Sequence, residues 1–245
     1  VPEFKNIVSL TQFDRYHSLT VDQHTLRAIN ILKDIKTNKV AKKYYEFSKN
    51  IFKKEFDKKP LFYATLLHDI GKGYGGDHNL KGANMAKKII LRFNEKNEIA
   101  EETSWLIENH LIFSEFAFKK DLEDDSIIKK LCSKVTSLKR LRSLFLLTVS
   151  DISAVDHGLW NQWKASLLQE LYLKCKKEIQ KPDKFFGINS KIEKTKSQVL
   201  SFSKRLTKKN LESFSKITYP NYWLLQSPGT ISFQIENFFT DQKKL

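Results

Sequence analysis

Apolar residues recur at intervals of three and four along most of this chain, and no stretch alternates with period two for more than a few residues. The pattern predicts an all-α protein. Its first strong segment follows Thr20-Val-Asp-Gln23, a capping box in which Thr20 accepts from the N–H at the third helical position and Gln23 reaches back. Leu26, Ile29, Ile31, Leu32 and Ile35 follow at helical spacing, with His24 in the first turn. Helices are next expected over Val40–Phe56 and Leu61–Ile70, the second opened by Pro60 and ended by Gly71 and Gly73. Others are expected over Leu80–Phe93, Glu98–Asn109, Ser126–Lys134, Leu138–Ile152 and Trp160–Ile179. Pro182 to Gly187 reads as a break, followed by helices at Lys191–Leu206, Lys209–Ile217 and Ile231–Gln242. No internal repeat is visible.

Composition narrows the class. The 245 residues suit one large domain or two small ones, and 8 Gly and 5 Pro are too few for a turn-rich β-fold. Cys132 and Cys175 form no C-x-x-C pair, which excludes a disulfide scaffold or zinc ribbon and fits a reducing, cytoplasmic setting. The longest uncharged run, Ile217 to Ile235, contains Pro220, Asn221, Gln226, Pro228 and Gly229, so no membrane span is expected. The chain starts at Val1 without a signal peptide, and the expectation is a piece of a longer protein. Lys+Arg number 43 against 28 Asp+Glu, a net +15. Only 6 of the 43 are Arg, the residue suited to bidentate base and phosphate recognition, so nucleic acid is not the expected partner. A solvated Lys-rich surface and a positive face steering an anionic partner both fit.

Chemistry concentrates at a few positions. His68 and Asp69 end the apolar run Leu61-Phe-Tyr-Ala-Thr-Leu-Leu67, where a buried carboxylate costs several kcal/mol (roughly) unless paired or metal-bound. Adjacent helical residues diverge by about 100°, so the two side chains would grip an ion from two sides, and the two Asp69 oxygens could bridge a pair. Lys72 follows on the same side and could meet a phosphoryl oxygen. Asp151, after the apolar Leu144-Phe-Leu-Leu-Thr-Val149, raises the same burial question; a metal or a buried hydrogen bond would answer it. Four of the 8 glycines fall within Gly71–Gly76, just before Asp77 and His78. Gly75 and Gly76 could let backbone approach a substrate or merely supply positive φ. Trp160 and Trp163 fit helix packing, with contact to a base or partner protein as the other reading.

The order His24, His68-Asp69, His78, His110, Asp151 resembles the HD superfamily of metal-dependent phosphohydrolases. Gln12-Phe-Asp-Arg-Tyr-His17, Leu67-His-Asp-Ile-Gly-Lys72, Gly75-Gly-Asp-His78, Glu108-Asn-His-Leu111 and Leu159-Trp-Asn-Gln-Trp-Lys-Ala-Ser166 resemble one branch, the bifunctional PII uridylyltransferase/uridylyl-removing enzymes. The resemblance implies an HD helical bundle over 1–187 and a C-terminal helical extension over 188–245. It also implies nucleotidyltransferase and ACT domains in the longer native chain, since neither pattern occurs here. The implied activity is removal of UMP from a tyrosine of uridylylated PII. The implied ligands are His24, His68, Asp69 and Asp151 for one divalent ion and Asp69, His78 and His110 for a second. Mn²⁺ is expected, with Fe²⁺, Zn²⁺ or Mg²⁺ possible. Lys72 and Asp69 are the implied catalytic residues, with Gly75, Gly76, Asp77 and His17 as weaker substrate contacts; helix-entry packing is the other reading of His17. His157 matches nothing in the family and reads as a surface turn. An HD hydrolase of free nucleotides, such as an alarmone or deoxynucleotide, and a non-catalytic Lys-rich binding module stay open as alternatives.

Overall fold

The computed structural model describes residues 1–11, 19–40, 42–155, 159–203 and 206–241, and a few helical residues, 182–191 among them, without their side chains. The sites expected at His17 and His157 therefore lie outside the described residues. No strand occurs among those described. The chain forms two compact units, Val1–Ile179 and Gln180–Leu245.

In the first unit, a 3₁₀ turn at Pro2–Ile7 leads to α1 (Val21–Lys36), which carries the expected capping box at Thr20. α2 covers only Glu46–Phe52, preceded by a 3₁₀ turn at Lys43–Tyr45. The predicted helix over 40–56 was too long because Lys53, Lys54 and Glu55 are exposed, and a short helix persists only where tertiary packing holds it. α3 (Lys59–Leu67) follows, then α4 (His78–Arg92), α5 (Asn97–Glu108) and α6 (Ile112–Lys119). α6 was not anticipated, although Ile112, Phe113, Phe116 and Ala117 form its buried stripe. α7 (Asp125–Val135), α8 (Leu138–Val155) and α9 (Gln162–Ile179) complete the unit.

α8 is the pillar. Residues 143–150 are buried without interruption, and α8 packs against α1, α2, α3, α5, α6, α7 and α9. A helix apolar on nearly all sides has no solvent face and must be surrounded. Its polar side chains are satisfied locally: Thr148, Ser150 and Ser153 hydroxyls donate to carbonyls four residues back at 2.8, 2.9 and 2.6 Å. The Phe145 ring meets Phe47, Phe113 and Tyr172 edge-on, with centroids 5.4, 6.2 and 5.3 Å away.

The second unit comprises α10 (Pro182–Phe202), α11 (Lys208–Ile217), α12 (Pro220–Leu225) and α13 (Pro228–Asp241). Ile192, Val199, Leu211, Phe214, Trp223, Ile231 and Ile235 make its own core. The expected break at Pro182–Gly187 is absent; α10 starts at Pro182 and runs through Gly187. Proline at a first helical position costs no hydrogen bond, and one interior glycine costs only about 1 kcal/mol, which packing readily offsets. Among the described residues, no helix is long and apolar enough to cross a membrane.

The α8 pillar carries a stability prediction. Phe145→Ala should cost about 3–5 kcal/mol by the usual range for a buried aromatic truncation. Urea unfolding monitored by circular dichroism measures it, and a loss below about 1 kcal/mol would contradict the central role given to α8.

Candidate metal centre

Four separate segments converge on one buried spot. α1 contributes His24, the end of α3 contributes His68 and Asp69, the turn between α5 and α6 contributes His110, and α8 contributes Asp151. His78, the first residue of α4, completes the set. His24, His68, Asp69 and His110 are buried, while His78 and Asp151 are partly exposed.

Local chemistry explains why His68 and Asp69 point inward. α3 is apolar from Leu61 to Leu67, and past Leu67 the backbone tightens: Ile70 N–H donates to Leu67 O and Lys72 N–H to Asp69 O, both at 3.0 Å. The helix thus ends in turns rather than fraying, and the HD pair stays in the core. Gly71 lets α4 approach this turn. A Cβ on Gly71 would lie 2.1 Å from His78 O and 2.8 Å from Gly82 N, so any side chain would push His78 away from Asp69. Gly82 returns the favour at close range, since its own Cβ would stand 3.4 Å from Gly71 N.

The ligand atoms fall into two groups. In one, His24 Nε2, His68 Nε2 and Asp151 Oδ1 approach at 3.3, 2.9 and 3.5 Å (His24–His68, His24–Asp151, His68–Asp151). In the other, ligand atoms of Asp69, His78 and His110 all lie within 4.8 Å of one another. Asp69 stands between the groups, its Oδ2 3.4 Å from His68 Nε2 and 3.9 Å from His24 Nε2. The imidazoles are oriented from behind. His68 Nδ1 donates to Thr65 O at 3.0 Å and His110 Nδ1 to Ile107 O at 2.7 Å, which turns each Nε2 towards the centre. Lys72 Nζ donates to Asp69 Oδ2 at 2.7 Å from the rim of the site.

The electrostatics favour a cation at this point. Burial alone would lower the His68 pKa, but the Asp69 charge and the Asp151 hydrogen bond raise it to about 9. Burial opposes ionisation of Asp151, yet hydrogen bonds from His24 and His68 and their charge hold its carboxyl well below the usual range. Asp69 is also lowered, by His68, Lys72 and His110 against the cost of burial. His110 is shifted down by burial and by the His68 charge, which favours its neutral, ligating form. Asp69 Oδ1, buried, has no hydrogen-bond partner among the described residues. An unsatisfied buried carboxylate oxygen costs about 1–3 kcal/mol or more, and an ion held beside it would remove that cost. The donors are imidazole nitrogens and carboxylate oxygens without thiolate, a set that fits Mn²⁺, Fe²⁺ or Zn²⁺.

The weaker expected contacts have structural roles of their own. Gly75 and Gly76 both have positive φ, 64° and 66°, so conformation is sufficient reason for glycine there. Asp77 Oδ1 caps α4, accepting from the Asn79 and Leu80 N–H groups at 3.1 and 3.2 Å. Trp160 is buried against Tyr44 and Tyr45, as packing required. Trp163 is 63% exposed and stacks on Phe118, so a packing role does not account for it. Sequence reading missed Lys81 and Asn6, which fix the loop before His78. Neither is distinctive in sequence, because each acts through backbone or through a distant tyrosine.

A histidine–aspartate cluster strung over a helical bundle in this order defines a class, and the comparison with protein families bears it out: residues 21–141 match the HD domain family. The chain thus carries an HD domain. Over 234 residues, 96% of its length, it is 37% identical to the bifunctional uridylyltransferase/uridylyl-removing enzyme of Azospirillum brasilense, covering 25% of that protein. The enzyme of the same name from Erythrobacter litoralis is 42% identical over 172 residues (70% of this chain, 19% of the relative), and that from Rhodospirillum rubrum 34% over 230 residues (94% and 24%). The chain thus spans a quarter or less of the length of these relatives.

The close approach at Gly71 is directly testable. Gly71→Ala should destabilise the protein by about 1–3 kcal/mol, as overpacking does. Gly75→Ala, with open space around its Cβ but a backbone at φ 64° and ψ 171° that only glycine adopts readily, should cost about 1–3 kcal/mol through strain alone. Denaturant midpoints measure both losses; a loss below about 0.5 kcal/mol in Gly71→Ala would contradict the packing described here.

Proposed function

We propose that this chain is a uridylyl-removing phosphodiesterase that hydrolyses the bond between UMP and a tyrosine of the signalling protein PII. The observation that carries this reading is the convergence of two histidine–aspartate groups on the buried Asp69, supported by similarity to uridylyl-removing enzymes over nearly the whole chain. His24, His68 and Asp151, with Asp69, would hold one divalent ion; Asp69, His78 and His110 would hold the second. Mn²⁺ is the expected metal on the strength of the family resemblance. When bound, such ions supply a nucleophile from water near neutral pH and offset charge on the phosphoryl oxygens.

The protein's own groups do the rest. The reaction adds a water oxygen to phosphorus and breaks the phosphorus–tyrosine oxygen bond, giving free tyrosine and UMP; the water proton lost is balanced by one gained at the phenolate. Asp69 Oδ1 is the buried acceptor that would face an ion between the two groups. Lys72, whose ammonium holds Asp69 Oδ2, adds positive charge where the phosphoryl group must sit. The Thr65 and Ile107 carbonyls keep the His68 and His110 rings from rotating, so the donor geometry is set before any substrate arrives. The +15 net charge draws in an anionic nucleotidylated partner. In this reading the second unit is a helical extension leading towards further domains of a longer cytoplasmic protein, which carries nucleotidyltransferase and ACT domains elsewhere in its chain.

Incubation with PII-UMP and Mn²⁺, following UMP by chromatography, tests the proposal. Release should occur with the wild type and fall by more than about a hundredfold in His68→Ala and Asp69→Asn. Hydrolysis of free nucleotides with no release from PII-UMP would overturn the assignment of substrate, and unchanged rates in both variants would overturn the site.

A further inference from the structure

The loop that delivers His78 is held by a clamp outside the ligand set. It runs from Lys72 to Asp77 and turns through Gly75 and Gly76 in the left-handed region. The turn presents the carbonyls of Tyr74 and Gly75 to Lys81, one turn inside α4. Lys81 Nζ donates to Tyr74 O at 3.1 Å and to Gly75 O at 2.7 Å. A Cβ on Gly76 would lie 3.2 Å from that same Nζ, so the glycine leaves room for the ammonium.

The loop is fixed on its other flank too. The Asn6 amide bonds the Tyr74 hydroxyl, and a Cβ on Gly73 would lie 2.5 Å from Asn6 O. On the α4 side, Lys81 N–H donates to Asp77 O at 3.1 Å while Asp77 Oδ1 caps the helix. His78 therefore sits at a helix entry whose approach is tied down from both directions. Two consecutive glycines have many conformations of similar energy, and the charge-assisted bonds from Lys81 select one of them.

We propose that Lys81 is a positioning residue for His78: it clamps the glycine loop so that the His78 imidazole faces Asp69 and His110. The consequence for metal rests on the proposed function, whereas the clamp rests on the hydrogen bonds alone. Among the described residues the Lys81 ammonium bonds loop carbonyls and no ligand atom, so its effect reaches the site through the backbone of residues 74–78. Groups supporting a ligand from outside the coordination sphere commonly change metal affinity by about 10–100-fold.

Two variants and two readouts test this. Lys81→Met keeps the aliphatic stem and removes the donors, while Lys81→Arg retains a donor at the end of a long stem. Amide hydrogen exchange over residues 72–78 is measured in metal-free protein, and Mn²⁺ binding is measured from the electron paramagnetic resonance of the free ion. Lys81→Met should exchange faster over that segment and bind one ion about tenfold more weakly, with the other unchanged; Lys81→Arg should recover both. Unchanged exchange in Lys81→Met overturns the clamp. Faster exchange with both ions bound as in wild type overturns the positioning role. A wild type that binds no Mn²⁺ overturns the metal reading, which the exchange data do not depend on.

Discussion

The buried Asp69 carboxylate is the constraint on which the rest of this structure depends. A charge at 2% exposure is tolerable only with compensation, and the fold brings it from every side: His68 beside it, Lys72 from the rim, His110 from the α5–α6 turn. One oxygen is taken up by Lys72, and the other has no hydrogen-bond partner among the described residues. A core that tolerates such a group does so for a purpose other than stability, because an apolar residue there would pack at less cost. In the function proposed above, divalent cations in the two flanking groups would supply that purpose.

The elements can be understood as means of keeping the arrangement rigid. α8 is surrounded by neighbours and holds Asp151 at a fixed height in the bundle. α3 is too apolar to leave the core, so the residues at its end are carried inward with it. Gly71 and Gly82 let α4 close on the HD turn and bring His78 within range. Each histidine whose ring is anchored by a backbone carbonyl needs no substrate to find its orientation. The site is thus built on helix ends and turns, braced by a core that cannot shift without unfolding.

Much of this was legible in the sequence, for definite physical reasons. Helical periodicity located α1, α4, α5, α7 and α9, because each buries one face against the others, and continuous apolar runs located α3 and α8. Of the six chemical positions, His68, Asp69 and Asp151 stood out since charged and ligating residues rarely follow apolar runs such as Leu61–Leu67 or Leu144–Val149, and His24, His78 and His110 joined them through the resemblance. Their family order also carried the resemblance that the comparisons support. What sequence could not show is tertiary. Whether Val40–Phe56 is one helix depends on which turns find packing partners, and a break at Pro182–Gly187 depends on whether neighbours hold α10 together. The exposure of Trp163, in an amphipathic stripe with Leu167 and Leu171, is likewise decided by where α6 sits. Lys81 was invisible because its partners are carbonyl oxygens, which every residue has.

The central claim is that two histidine–aspartate groups sharing Asp69 hold divalent ions. Anomalous diffraction at the manganese edge from crystals grown with Mn²⁺ tests it most directly. The account predicts two peaks about 3.5–4 Å apart, one among His24, His68 and Asp151 and one between His78 and His110, with Asp69 adjacent to both. Peaks only elsewhere on the surface, or none at all in protein that remains folded, would contradict it.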